Sequence, residues 1–173
     1  MKKIISMVCY ILYNGVAKHM PKSNCCLSFG AKRIRVVLAK GFVKHIGNNV
    51  NIEKGAVFGR SITIGNNSGV GINCIIQGKV TIHDNVMMGP EVYIYTRNHR
   101  HDMLNIPMIQ QGFEEEREVV IDDDVWIGSR VTILPGVHVG KGSILGAASV
   151  ITKDVPPYVI MGGNPAKILK ERG

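Results

Sequence analysis

A six-residue period constrains this chain more than any other feature. Ile46, Ile52, Phe58, Ile64, Val70, Ile76, Ile82, Met88 and Ile94 stand six apart. After a gap, Ile121, Ile127, Ile133, Val139, Leu145 and Ile151 resume the count. Two residues before most of them lies a small or aliphatic partner, such as Val50, Ala56, Ser68, Cys74 and Val86, and later Val125, Val131, Ser143 and Ser149. Six fits neither the 3.6-residue turn of a helix nor the simple alternation of a single strand. It is the period of a parallel β-helix built from hexapeptides. Three hexapeptides make one triangular coil, with short strands as sides. The corners fall where Gly, Asn or Asp tolerates unusual dihedral angles. Each inward residue rests on its equivalent in the next coil, so the stack is stable only as a stack. A helix over residues 46–94 is excluded by glycines at 47, 65, 71 and 89 and by the β-branched content.

The nine hexapeptides before the gap make three coils, and the six after it make two. The chain therefore reads as an all-β, parallel β-helix over residues 45–157, with residues 95–120 extruded at a corner. Residues 1–44 precede it as an amphipathic cap. Residues 158–173 follow as a tail. In the tail, Asn164 and Pro165 fit the cap and first position of a short helix over 165–171. Near the start, Ile4, Ile5, Val8, Ile11, Leu12 and Val16 recur at helical spacing. They predict an amphipathic helix, packed on its own domain or lying on a membrane surface, and packing is the expected arrangement. Two lysines before an apolar run imitate a secretory leader, but no clean cleavage site follows and the run is too short to span a bilayer.

Composition narrows the function. Hydrophobic residues make up 45% of the 173-residue chain and charged residues 20%, which describes a globular domain and not a disordered one. Net charge is +8, with basic residues gathered at both ends: Lys32, Arg33, Arg35, Lys40 and Lys44, then Lys167, Lys170 and Arg172. Such an excess attracts anions. No RNA- or DNA-binding signature accompanies it, so nucleic acid is not an expected partner. Cys9, Cys25, Cys26 and Cys74 match no disulfide or zinc framework and read as free thiols of a cytoplasmic protein.

A rod takes its function from what interrupts it. The interruption carries "NHRHD", with His99, His101 and Asp102. A histidine there suits general-base work at neutral pH. The H-x-H pair with Asp102 is also a partial metal-ligand set, short of a third ligand. A solvated polar loop is the third reading. Further on, Trp126 precedes inward Ile127 and so faces outward. "GAAS" at 146–149 places small residues where a ligand can approach the backbone, on what reads as a strand. Lys153, Lys167 and Lys170 could meet phosphates.

The hexapeptide array, the histidine-bearing loop, "DVWIGSRVTILPGVHVGKGSILGAASVITKDVPPY" and "GNPAKI" together resemble the hexapeptide-repeat O-acetyltransferases. That family includes galactoside, maltose and serine acetyltransferases and enzymes acting on capsule or lipopolysaccharide sugars. The resemblance covers residues from about 46 to 170. It implies a left-handed β-helix, a homotrimer with sites between subunits, and acetyl-CoA as donor with no metal. By position, His99 becomes the general base. Trp126, Ser129, Ala147, Ala148, Thr152, Lys153, Lys167 and Lys170 fall on the CoA path. Asn73, His101 and Asp102 are acceptor-side candidates. The sequence departs from the family where Arg100 replaces the usual proline and where Gly71 replaces an acceptor-side asparagine, the nearest being Asn73. The short N-terminal segment lacks the long acceptor-binding region of the galactoside and maltose enzymes. It favours a sugar of a surface glycan or its lipid-linked precursor, modified in the cytoplasm or at the inner face of the membrane. The rivals are another small acceptor such as an amino acid or antibiotic, a non-catalytic scaffold, and a zinc-dependent γ-type carbonic anhydrase.

Overall fold

The computed structural model describes residues 1–26, 28 and 30–173. Among these residues two α-helices, α1 (Lys2–Gly15) and α2 (Ala31–Lys40), precede the repeat, with a single 3-10 turn, Ala17–His19, between them. The chain then winds through short parallel strands, and three faces result. The first face stacks His45–Ile46, Thr63–Ile64, Val80–Ile82, Val119–Ile121 and His138–Val139. The third stacks Val57–Phe58, Ile75–Ile76, Tyr93–Ile94, Thr132–Ile133 and Val150–Ile151. The second begins with Asn51–Ile52 on Gly69–Val70. It continues, through the Gly69 N–H to Val86 carbonyl bond at 3.0 Å, into Met87–Met88, Trp126–Ile127 and Ile144–Leu145.

The inward positions are those the period predicts. Ile52, Ile64, Ile82, Ile94, Ile121, Ile127, Ile133, Leu145 and Ile151 are fully buried. Register steps by 18 residues from Ile64 to Ile82, but by 39 from Ile82 to Ile121, so the extrusion adds 21 residues to one coil. The partner positions close the corners. Ser68 Oγ donates to the His83 carbonyl at 2.7 Å and accepts from the Val86 N–H at 3.0 Å, one coil on. Ser143 makes the same pair of bonds with Pro156 and Val159. Glycine is required where coils touch backbone to backbone. A Cβ on Gly128 would stand 2.7 Å from the Ala147 nitrogen.

Two expectations are corrected. Residues 165–171 are not a helix. Ala166–Glu171 is a strand, antiparallel to Val159–Gly163, which itself pairs in parallel with Ile144–Leu145. The tail therefore starts a sixth coil and folds back over its open edge. An unpaired edge offers a ladder of backbone partners, and a seven-residue helix has too few internal bonds to compete. Nor does α1 pack through its predicted stripe. Ile4, Ile5, Val8, Ile11, Leu12 and Val16 are all exposed. Instead the half-buried Ser6 and Cys9, with buried Tyr13 and Ala17, face the domain. Tyr13 donates to the Ala56 carbonyl at 2.8 Å, and its ring lies 5.1 Å from Phe58 and 5.5 Å from Phe42. At the helix crossing, a Cβ on Gly41 would meet Cys9 Sγ.

Arg35 ties the cap to the first coil and is no part of a surface basic cluster. It is fully buried. Its guanidinium donates to the carbonyls of Ile52 and Pro21 and to Ser23 Oγ, with Glu53 at 3.7 Å. Burial pulls its pKa down, and Glu53 opposes that shift. Arg35→Ala takes the guanidinium donor from those carbonyls and the cation from Glu53, which keeps its bonds from the Ser23 N–H and Asn51 Nδ2, and should cost about 3 kcal/mol in urea unfolding. Exposed Arg33→Ala should cost less than about 0.5 kcal/mol.

Candidate active site

The extrusion leaves the corner between the third and first faces, between Tyr93–Ile94 and Val119–Ile121. Its neck is closed by bonds between its two ends. The Arg117 N–H donates to the Thr96 carbonyl at 2.7 Å, and Glu116 Oε1 accepts from Thr96 Oγ1 and the Lys79 N–H, each at 2.8 Å. Gly78, at φ +71°, sits against this neck, where a Cβ would collide with Thr96 Oγ1 and Glu116 Oε1. These hydrogen bonds, that from Thr96 foremost, hold the Glu116 carboxyl below the usual glutamate value.

Beyond the neck the two limbs form a small antiparallel ladder. The Glu114 N–H donates to the Asn98 carbonyl at 2.9 Å and the Arg100 N–H to the Gly112 carbonyl at 3.1 Å. His99 is paired with Phe113 between them. Its imidazole lies 4.2 Å from the Phe113 ring, centroid to centroid, while the Arg97 guanidinium lies 4.1 Å from the same ring. The far end of the loop is held by one buried amide. Gln111 Nε2 donates to the Met103 and Ile106 carbonyls at 2.7 and 2.9 Å, and its Oε1 accepts from the Met103 N–H at 3.1 Å.

His99 lines an open groove of about 1080 Å³ along the third face. Tyr10 from α1, Gln77, Tyr95, Arg97 and Glu116 share it. No sequence pattern points to Tyr10, whose place depends on how α1 docks. Tyr95 and Gln77 could have been found as outward residues at the corner that carries the extrusion. His101, its Nδ1 3.4 Å from the His99 carbonyl, and Asp102 line not the His99 groove but a second hollow of about 350 Å³ bordered by Phe113. Asp102 is paired with Arg100 at 3.0 Å, and the hydrogen bond from Arg100 lowers its pKa. Asn73 occupies a coil corner at φ +55°, donating its N–H to the Lys54 carbonyl, and does not line the His99 groove. Among the described residues no group of three His, Cys, Asp or Glu side chains is placed to hold a metal ion. Burial pushes the Cys74 thiol up to about 11, which keeps it protonated and inert at neutral pH.

The candidate CoA residues are divided among separate edges of the prism. Trp126, half exposed, belongs to an outward column on the second face, in register with Met87, Ile144, Ile160 and Lys170. Ser129, Ala147 and Ala148 form stacked corners between the second and third faces, joined by the Ala148 N–H to Ser129 carbonyl bond at 2.8 Å. "GAAS" is thus a corner and not a strand, with Ala148 at φ +60° and Ser149 buried. Thr152 and Lys153 lie on the His99 edge, above Leu134 of the groove. Lys167 and Lys170 stand exposed on the tail hairpin. Within one chain, His99 and the Ser129–Ala147–Ala148 corners are on different edges.

Comparison with known proteins bears directly on this arrangement. Residues 118–153 match the bacterial transferase hexapeptide (six repeats) family model. Galactoside O-acetyltransferase of Escherichia coli strain K12 is 35% identical over 143 residues, covering 79% of this chain and 68% of that protein. The chain belongs to the hexapeptide-repeat acetyltransferase family. A candidate acetyltransferase of Saccharomyces cerevisiae is 41% identical over 116 residues, or 66% of this chain. The match spans 58% of that protein's length. The fold agrees with a hexapeptide-repeat acetyltransferase from Vibrio cholerae solved with acetyl coenzyme A. That structure has a TM-score of 0.75 and 27% identity, covering 96% of this chain and 88% of that one.

Two outcomes test how this family member holds its loop. Gln111→Ala removes the partner of three backbone groups and should speed amide exchange across residues 101–112, with little change in the coils. Glu116 has a folded pKa below its unfolded one, so its contribution is present above the ordinary glutamate value and is lost as pH falls through the folded pKa. The protection of the Lys79 and Arg117 amides, taken relative to their intrinsic exchange rates at each pH, should therefore fall on acidification in wild type and be already low, and less acid-dependent, in Glu116→Ala.

Proposed function

We propose that this chain transfers the acetyl group of acetyl-CoA to a hydroxyl of a sugar, with His99 as general base. One observation carries the reading. The extrusion, closed at its neck and braced at its tip, holds an exposed imidazole over a groove that has aromatic faces and hydrogen-bonding groups for a polar acceptor. Tyr10 and Tyr95 offer the faces, and Gln77, Arg97 and Asn98 the polar contacts. The E. coli relative is a galactoside O-acetyltransferase, which supports a sugar acceptor. A glycan destined for the cell surface, or its lipid-linked precursor, is the acceptor we favour, with the reaction in the cytoplasm where acetyl-CoA is made.

The residues present fit the donor. Ser129, Ala147 and Ala148 give a corner with no bulky side chain, suited to a thin pantetheine arm. Lys153, Lys167 and Lys170 are exposed and form no ion pair among the described residues. They can meet phosphates. Since these corners and His99 lie on different edges, the complete site forms between copies of the chain, as in a homotrimer. His99 removes the acceptor proton as that oxygen attacks the thioester carbonyl. A backbone N–H supports the developing negative charge. As the carbon–sulfur bond breaks, His99 returns the proton to the departing sulfur. The ladder to Gly112 and Glu114 and the Phe113 ring hold the imidazole in place for both transfers.

His99→Ala should lower acceptor-dependent thiol release about 10²- to 10⁴-fold and leave CoA affinity by calorimetry within about twofold. Undiminished turnover in the variant would remove His99 as the base. Absence of CoA binding by the wild type would remove the transferase reading.

A further inference from the structure

Helix α1 buries its lesser stripe and presents its greater one to solvent. Ser6, Cys9, Tyr13 and, just beyond the helix, Ala17 face the domain. On the outer side Ile4 is 64% exposed, Ile5 53%, Val8 46%, Ile11 58% and Leu12 45%. Val37 of α2 is 66% exposed, and Ile34 lies one turn before it. Between the two helices runs a groove of about 440 Å³, lined by Leu12, Val16, Ile34 and Val37 with Arg33 at its side. A contiguous apolar surface of this kind marks an interaction site.

The charge around it narrows the partner. No acidic residue precedes Glu53. Lys2, Lys3, Lys18, Lys22, Lys32, Arg33, Lys40 and Lys44 all fall in that stretch with their side chains exposed or half-buried, whereas Arg35 is turned inward. Two copies meeting through this face would bring like charges together. An anionic lipid surface neutralises them, each basic residue adding to the attraction. The helix has 14 residues, a rise of about 21 Å against a hydrocarbon core of about 30 Å. Among the described residues no helix is long and apolar enough to cross a membrane.

We infer that the α1–α2 face docks the protein on an anionic phospholipid bilayer, with α1 lying flat and its Ile–Val–Leu stripe among the acyl-chain ends. This inference does not rest on the transferase reading. It adds a consequence to it: Tyr10 of the same helix lines the His99 groove, so docking brings that groove close to the headgroups and to acceptors carried on lipid.

The test is co-sedimentation of the full chain with vesicles of phosphatidylcholine alone or with about one-third phosphatidylglycerol. The variant is Ile5→Gln/Val8→Gln/Leu12→Gln, changed only at exposed positions; circular dichroism and light scattering check its fold and mass. Wild type should partition at least about tenfold better onto the anionic vesicles, more weakly in high salt, and the folded triple variant should lose about tenfold or more of that binding. Failure of wild type to bind anionic vesicles at low salt overturns the inference, as does unchanged binding by the triple variant. A triple variant of altered oligomeric mass, with no vesicle binding by wild type, also overturns it and gives the stripe to a second copy. Thiol release from acetyl-CoA with a soluble acceptor separates this result from the fate of the enzymatic reading.

Discussion

The rest of the molecule depends on the stacking of inward aliphatic side chains from coil to coil. A strand of two residues has almost no stability of its own. It persists because Ile64 rests between Ile46 and Ile82, and Ile133 between Ile94 and Ile151, with every neighbour in register. The column admits neither a gap nor a polar group, so the interior has no room for chemistry. The serines buried in the prism serve its corners: Ser68, Ser143 and Ser149 each bond backbone groups of the next coil. Function is thereby confined to edges, to outward columns and to whatever leaves the stack.

The extrusion leaves without disturbing the columns. Ile82 and Ile121 are paired as if nothing lay between them. The join is secured by Thr96, Glu116 and Arg117 over a glycine that no other residue could replace without a collision. Rigidity at the neck passes outward through a short ladder to His99. The histidine therefore stands on a support nearly as fixed as the prism, a condition for moving a proton at a defined point in space. The same geometry turns His99 and His101 toward different hollows.

Much of this was legible in the sequence because a six-residue period fixes face, register and coil number at once. The extruded loop followed from the gap in the count, and His99 followed from the residues within that gap together with the family resemblance. What escaped depended on competition between elements. Asn164 and Pro165 carry an honest helix-start signal, but the open edge at Ile144–Leu145 offers hydrogen bonds that a short helix cannot match. The apolar stripe of α1 predicted its buried face wrongly, because Gly41 and the Tyr13–Phe42–Phe58 cluster accept only the narrow Cys9 side of the helix. Arg35 looked like one more surface cation. Its burial reflects carbonyls of Pro21 and Ile52 that no local pattern brings together.

The central claim is that His99 of one chain serves the donor corner of another. Its most direct test mixes two inactive variants, His99→Ala and Ala147→Trp, the second blocking the corner at an exposed position. Each alone should release thiol at least about a hundredfold more slowly than wild type. Co-assembled in equal amounts, they should recover about one quarter of wild-type activity, the share of interfaces that random assortment leaves with both parts intact. Mixed assemblies of confirmed composition that recover nothing would contradict the account and place the whole site within a single chain.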